Sequence, residues 1–396
     1  MNELRPDSAA AVQEAVATAA TERTPLEITG AGTKRGLGRP VEAVRRLSLA
    51  DVRGITLYEA EELVLSARAG TTLVEIEQSL AQQGQQLAFE PPDWGLLLGT
   101  MPGTQTIGGV VACNLAGPRR LTAGAARDHL LGFQAVSGRG ELFKAGGRVV
   151  KNVTGFDLSK LMAGSFGTLA VMTEVTLKVL PRPEAAATLL LLGQDAATAA
   201  GSMAAALGSS NEVSGAAWLP APLAGRLGVG EGAAVTALRF EGLAESIAYR
   251  LAALTDLMPG AAARLDGPAS DAFWRALGNV EPLAADASRD VWRVSVAPLD
   301  GARLIQALPD AEAYLDWAGG LVWLALPASP DGGAARVRQA KGPAGHATLV
   351  RAGIVVRAFA AVFEPEPEPL AALSRRIKAS FDPVGILNPG RMVEGV

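Results

Sequence analysis

A chain of 396 residues with 49% apolar content has room for more than one hydrophobic core, so two domains are the first expectation. Its 36 basic and 40 acidic residues leave a formal charge of −4, which provides no basic surplus for a polyanion and argues against nucleic acid as a partner. The single cysteine, Cys113, excludes an intramolecular disulfide and any iron–sulfur cluster or zinc ribbon ligated by this chain's own thiolates.

The N-terminus, MNELRPDSAA, is polar and charged, unlike a signal peptide. No stretch of 18 apolar residues stands out, and TLLLLG near Leu189 is too short to span a bilayer. A soluble cytoplasmic chain is expected, with any membrane association made through partners.

The Ala-rich segment Asp7 to Ala20 predicts a helix, and PLEI after it a short strand. Then comes ITGAGTKRGLG, Ile28 to Gly38. Gly30, Ala31, Gly32 and Gly36 permit close backbone approach to a ligand, Thr33 adds a hydroxyl, and Lys34 and Arg35 add charge, as a pyrophosphate cradle requires. This is not the dinucleotide fingerprint, because the third glycine falls one residue late and Gly36, Gly38 and Pro40 break the helix that should follow. It is not a Walker loop either, and alone such a segment is more often a turn than a site.

VLSARAGTTLVEIEQSLAQQGQQLAFEP reads as strand, turn, helix and strand, with Thr71 or Thr72 as the cap and Gly84 ending the helix. Between Glu90 and Pro118, Pro91 and Pro92 force extended backbone. Gly103, Thr104, Thr106, Gly108 and Gly109 form a second small-residue segment, followed by the apolar run Val110 to Ala112 and by Asn114. Cys113 reads as a small buried residue. Arg119 and Arg120 suit either a phosphate or carboxylate contact or a solvated basic pair.

His129, in ARDHLLG, reads as packing rather than as a base. The stretch GGRVVKNVTGFDLSKLMAGSFGTLAVMTEVTLKVLP ends the first part. It predicts a buried helix in FDLSKLM, a turn with Ala163, Gly164, Ser165 and Gly167, and a strand through Val171 in which Glu174 is a structural carboxylate. Pro181 and Pro183 mark a boundary. The domains expected are therefore 1–182, 183–345 and 346–396. The middle one alternates strands with covering helices, which suggests a ferredoxin-like α+β cap.

Taken together, ITGAGTKRG, the PPD…PGTQTIGG…N…GPRR block, RDHLLG with GRGE, GSFGTLAVMTEVTLKVLP and the tail FDPVGILNPGRM resemble the vanillyl-alcohol oxidase, or p-cresol methylhydroxylase (PCMH), type of FAD-binding family. More narrowly, GGRVVKNVTGFDLSKLMAGSFGTLAVMTEVTLKVLPRP resembles the smaller FAD-binding subunits of bacterial glycolate oxidases. The match covers residues 1–185 and the last dozen; the middle follows mainly in length and composition. The resemblance implies an α+β fold: a two-subdomain PCMH-type FAD-binding domain, a cap, and a C-terminal segment that returns to the flavin.

It also implies FAD held through backbone N–H groups around Gly30 to Gly36, Gly103 to Gly109 and Gly164 to Val171, with Pro92, Asn114 and Asn388 nearby. Relatives that attach FAD covalently use a His in the first Gly-rich loop. GAGTKRG has none, so noncovalent FAD is expected. The partners implied are a catalytic FAD subunit, which oxidises glycolate to glyoxylate, and an iron–sulfur subunit.

Only His129 and His346 are present, and no residues show metal-ligand spacing. The resemblance implies a His-rich motif late in the chain of catalytic hydroxy-acid dehydrogenases. Here GHATLVR offers only His346, either a strand-end residue or a remnant near the flavin. Arg351 and Arg391 could bind an anion or be solvated, and Lys151, Asn152 and Asp157 could hold the flavin domain or form an interface. No catalytic residue and no metal ligand is singled out. The expected function is an electron-transferring FAD subunit. The alternatives are a self-sufficient FAD-dependent 2-hydroxy-acid dehydrogenase and a redox-silent scaffold subunit.

Overall fold

Ser8 opens the first helix, Ala9–Glu22, by accepting a hydrogen bond from the Ala11 N–H on its hydroxyl, and Arg23 closes it in the left-handed region (φ 52°). Val12, Val16 and Ala19 recur on one face of that helix and are buried. The computed structural model describes residues 2–149, 155–258, 260 and 262–394. No helix among them is long and apolar enough to cross a membrane.

The chain forms two compact units, one of residues 1–116, 124–182 and 365–396, the other of residues 117–123 and 183–364. In the first unit, β1 (Asn2–Leu4), β2 (Leu26–Thr29) and β3 (Arg45–Ser48) make a parallel sheet in the order β1-β3-β2. Its apolar side, with Leu26 and Leu47, joins Val12, Val16, Ala19, Ile386 and Leu387 in one core cluster. A five-stranded antiparallel sheet follows, built from β4 (Ile55–Glu59), β5 (Val64–Arg68), β7 (Leu130–Ser137), β8 (Leu142–Gly146) and β9 (Ala170–Lys178), in the order β4-β5-β9-β7-β8. The strand pair β6 (Gln85–Gln86) and β10 (Leu180–Pro181) lies apart.

Thr72 is the cap of the helix Leu73–Ala81, its hydroxyl accepting from the Glu75 N–H at 3.2 Å. The apolar run Val110 to Ala112 ends a helix, Ile107–Ala112, capped by Thr106.

The second unit contains one eight-stranded sheet, wholly antiparallel. Its strands are β11 (Ala185–Leu192), β12 (Gly215–Leu219), β13 (Val235–Gly242), β14 (Ala262–Asp266), β15 (Arg289–Ser295), β16 (Glu312–Asp316), β17 (Leu321–Pro327) and β18 (His346–Arg351). Helices Ala196–Gly208 and Ala244–Leu257 follow the first and third strands of the first four; Pro298–Ala307 and Ala334–Lys341 do the same in the second four. The sheet order β14-β11-β13-β12-β16-β17-β15-β18 is, within each set of four, fourth-first-third-second read from the outer edge. Each set is thus a ferredoxin-like βαββαβ repeat. The two repeats join through their second strands, where Trp218 of β12 faces Leu315 of β16. Alternation sends Trp292, Val294, Leu315 and Leu324 into the core cluster with the helices and leaves Arg293, Tyr314 and Trp323 on the other face.

A division between 345 and 346 is therefore corrected. His346–Arg351 pairs with β15 and completes the second repeat, and the first unit resumes only at Pro365. The strand pattern of HATLVRA carries no signal for which sheet it joins.

Candidate functional site

The strand β2 delivers the chain into the Gly30–Lys34 segment, and no helix forms there. Gly32 has φ +79°, a conformation costly for any residue with a Cβ. The backbone N–H groups of Gly30, Ala31, Gly32, Thr33 and Lys34 donate to no acceptor among the described residues. Thr33 is buried, so its amide lacks both protein and ready solvent partners. A run of successive free amides forms a concave anion site.

This segment lines a cleft in the first unit with Gly108, Gly109, Thr106, Phe166, Gly167, Asn388 and Arg391. Its empty volume is about 730 Å³, counting space that opens to solvent. Leu49, Ala69, Ala112, Ala170 and Met172 provide apolar wall, and Lys34, Arg35 and Arg391 line it without any Asp or Glu. Burial pushes the Lys34 ammonium below its ordinary value, with Cys113 and Asp93 acting the other way. Lys34 Nζ donates to Gln105 Oε1 at 2.9 Å. Arg35 is tied to Glu27 (2.7 Å), which Arg46 also holds (3.0 Å). Burial works against the Glu27 carboxylate, but the two arginines hold it below its ordinary value.

The walls are spaced by glycines with no room for a side chain. A Cβ on Gly30 would sit 2.2 Å from Thr106 Oγ1, and one on Gly108 would sit 2.7 Å from Ala69 Cβ. The loop from Gly164 to Gly167 is docked on the end of the Ile107–Ala112 helix, with the Gly164 N–H donating to Val111 O and the Phe166 N–H to Ala112 O. The tail fastens the cleft from a third side. Asn388 Oδ1 accepts from the Ile28 N–H (2.7 Å), its Nδ2 donates to Phe166 O (2.8 Å), and Arg391 Nη2 donates to Lys34 O (2.7 Å).

Of the residues expected from sequence, Gly30, Ala31, Gly32, Thr33, Lys34, Thr106, Gly108, Gly109, Gly167 and Asn388 line this cleft, whereas Gly36, Pro92, Gly103, Thr104, Asn114, Gly164 and Val171 do not. Gly36 faces Leu98, and Pro92 is buried. The Gly103 N–H is taken by Asp93 Oδ2 (2.6 Å), and the Thr104 hydroxyl donates to Met101 O. Asn114 Oδ1 accepts from the Arg127 N–H and braces the loop. Val171 is fully buried in the β9 ladder opposite Val136. Its side chain packs in the core.

Cys113, taken for packing, lines the cleft, and burial pushes its thiol above the ordinary value. Arg391 lines it too; its position in the tail gave a charge but no address. His129 is buried against Phe89, ring centroids 5.1 Å apart, with Nδ1 3.2 Å from Lys178 O. His346 begins β18 opposite Ser295. Arg351 donates to the carbonyls of Leu283, Ala284, Asp286 and Arg289, so it is a structural clamp. Asp157 caps the Leu158–Met162 helix, while Lys151 and Asn152 lie outside the described residues. Among the described residues no three His, Cys, Asp or Glu side chains form a group able to hold a metal ion.

A family profile described as an FAD binding domain matches residues 3–146. The glycolate oxidase subunit GlcE of Escherichia coli K12 is 36% identical over 393 residues, covering 98% of this chain and 97% of that protein. The glycolate oxidase subunit GlcD of Bacillus subtilis 168 is 32% identical over 179 residues, 45% of this chain and 36% of its own length. In fold, the chain is similar to a 4-ethylphenol oxidase from Gulosibacter chungangensis, with a TM-score of 0.70 and 14% identity over 99% of this chain and 88% of that one.

FAD is thus the group to test against the cleft, and the residues fit it. The unpartnered amides of Gly30 to Lys34, the desolvated Lys34 and the acid-free lining suit a pyrophosphate. Met172, Ala170 and Leu49 suit an apolar ring. With an α+β fold, an FAD-binding domain and end-to-end similarity, the chain belongs to the GlcE family of glycolate oxidase subunits, FAD-dependent oxidoreductases.

Proposed function

We propose that the chain holds FAD noncovalently in this cleft and serves as the FAD-binding subunit of a glycolate oxidase, beside a catalytic FAD subunit and an iron–sulfur subunit. The observation that carries the reading is the row of free amides from Gly30 to Lys34 beside Lys34 and Arg391. FAD, when bound, supplies the electron-carrying ring. The protein binds and orients: the amides and Lys34 receive the phosphates, while Asn388 and Arg391 keep the Ile28–Lys34 and Phe166–Gly167 segments in register. The absence of a histidine from the cleft lining supports noncovalent attachment. The complex is placed in the cytoplasm, with any membrane contact made by a partner.

The test is reconstitution from purified subunits, read as glycolate-dependent reduction of a dye. Activity is expected from the three together and not when this chain is left out. Full activity without this chain would overturn the reading.

A further inference from the structure

Two adjacent cations of the first unit are held in opposite ways. Arg35 shares the Glu27 carboxylate with Arg46, so an anion faces its charge. Lys34 forms no ion pair among the described residues. Its ammonium donates to two neutral oxygens, Gln105 Oε1 at 2.9 Å and, at a longer 3.4 Å, Thr33 Oγ1. An ammonium has three N–H donors, so at least one stays uncommitted. Burial disfavours the Lys34 charge, and Cys113 and Asp93 offset that only in part. The Asp93 carboxylate is spent on the Gly95 N–H (2.9 Å) and the Gly103 N–H (2.6 Å).

Gln105 is only 4% exposed and does not line the cleft, so it reaches a ligand there only through Lys34. Its own backbone is pinned. The Leu73 N–H donates to Gln105 O (3.0 Å), Thr106 bridges to Thr72, and the Ile107 N–H donates to Thr71 O (2.9 Å). The Lys34 backbone is pinned as well, its carbonyl accepting from Arg391 Nη2 (2.7 Å) and the Leu37 N–H (3.1 Å). A lysine fixed at both ends of its side chain has given up rotamer freedom before a ligand arrives. The amide at position 105 also decides the charge. A glutamate there would hold the ammonium more strongly, but it would cancel the positive charge and set an anion beside any phosphate.

We propose that Gln105 is a positioning residue for the dinucleotide: it fixes the Lys34 ammonium beside the free amides of Gly30 to Lys34 without neutralising it, so the charge stays available to the pyrophosphate. This role rests on FAD binding in the cleft, as proposed above.

Titration of the apo full chain with FAD, followed by flavin fluorescence, tests it, with thermal melts by far-UV circular dichroism for every variant. Gln105→Glu should weaken FAD by at least about tenfold while the melting midpoint stays no lower than the parent's, because the new carboxylate pairs with Lys34. Gln105→Leu should weaken FAD by about 3- to 10-fold. In a Lys34→Met background the same change should cost no more than about twofold, since Gln105 acts through that ammonium. Gln83→Glu, the same substitution at an exposed glutamine of the first unit, should change nothing. The role is overturned if Gln105→Glu binds FAD like the parent, or if Gln105→Leu weakens binding equally with and without Lys34. If Gln105→Leu fails to fold, Gln105→Glu decides. A parent chain that binds no FAD removes the FAD reading and this role with it, whereas FAD binding indifferent to Gln105 removes only the role.

Discussion

Replacing Lys378 by methionine is expected to destabilise the chain by about 3–5 kcal/mol, the usual cost of removing one partner from a buried ion pair. Lys378 lies on the helix Glu368–Phe381 and is only 5% exposed. Its ammonium donates to Asp382 Oδ2 (2.8 Å), Thr168 O (2.6 Å) and Leu387 O (2.9 Å). Asp382 in turn accepts from the N–H groups of Gly385, Ile386 and Leu387. Methionine fills similar space but removes three donors and leaves a buried carboxylate without its cation. The same knot fixes the start of the segment that carries Asn388 and Arg391 to the cleft, so FAD retention should fall with stability. Denaturant midpoints followed by far-UV circular dichroism, alongside flavin content, measure both. A loss below about 1 kcal/mol, the range of a surface pair, would show that the knot carries no such role.

Gly30→Ala should weaken FAD binding by about 10- to 100-fold, corresponding to about 1–3 kcal/mol of overpacking. The added methyl would lie 2.2 Å from Thr106 Oγ1, the atom that caps the Ile107–Ala112 helix. Either Thr106 yields its cap, or the Gly30–Lys34 amides move away from the cleft. Adding Thr106→Ala should return part of the affinity, because the clash is with that side chain. Gly225→Ala, where an added Cβ meets nothing within 4 Å, serves as the control. Titration of the apo chain with FAD gives the three affinities. Equal affinity for Gly30→Ala and the parent would place the dinucleotide elsewhere.

Local chemistry was legible in the sequence. Ser8 and Thr72 are caps because hydroxyls before apolar-periodic runs accept orphan amides, and the three small-residue segments are where backbone must come close. What could not be read is which segments meet. Gly30 and Thr106 touch because two turns converge. Lys378 reaches Thr168 across 210 positions, a contact that no periodicity encodes. Asn388 was reachable only through resemblance, since an Asn after Leu387 has no local signature of bridging two loops. Cys113 was misplaced because a small apolar-like residue at a helix end looks the same whether it faces a core or a cleft. The second ferredoxin-like repeat was hidden for a related reason. The β18 pattern fits any antiparallel edge, so its membership in the eight-stranded sheet appears only with the register against β15.

The central claim is that this chain carries FAD but depends on a partner for glycolate oxidation. The most direct test is the visible absorption spectrum of the purified chain before and after glycolate is added without oxygen. The account predicts a flavin band that glycolate leaves unchanged until the catalytic and iron–sulfur subunits are present. Bleaching of the band in the isolated chain would contradict it and make the chain a hydroxy-acid dehydrogenase in its own right.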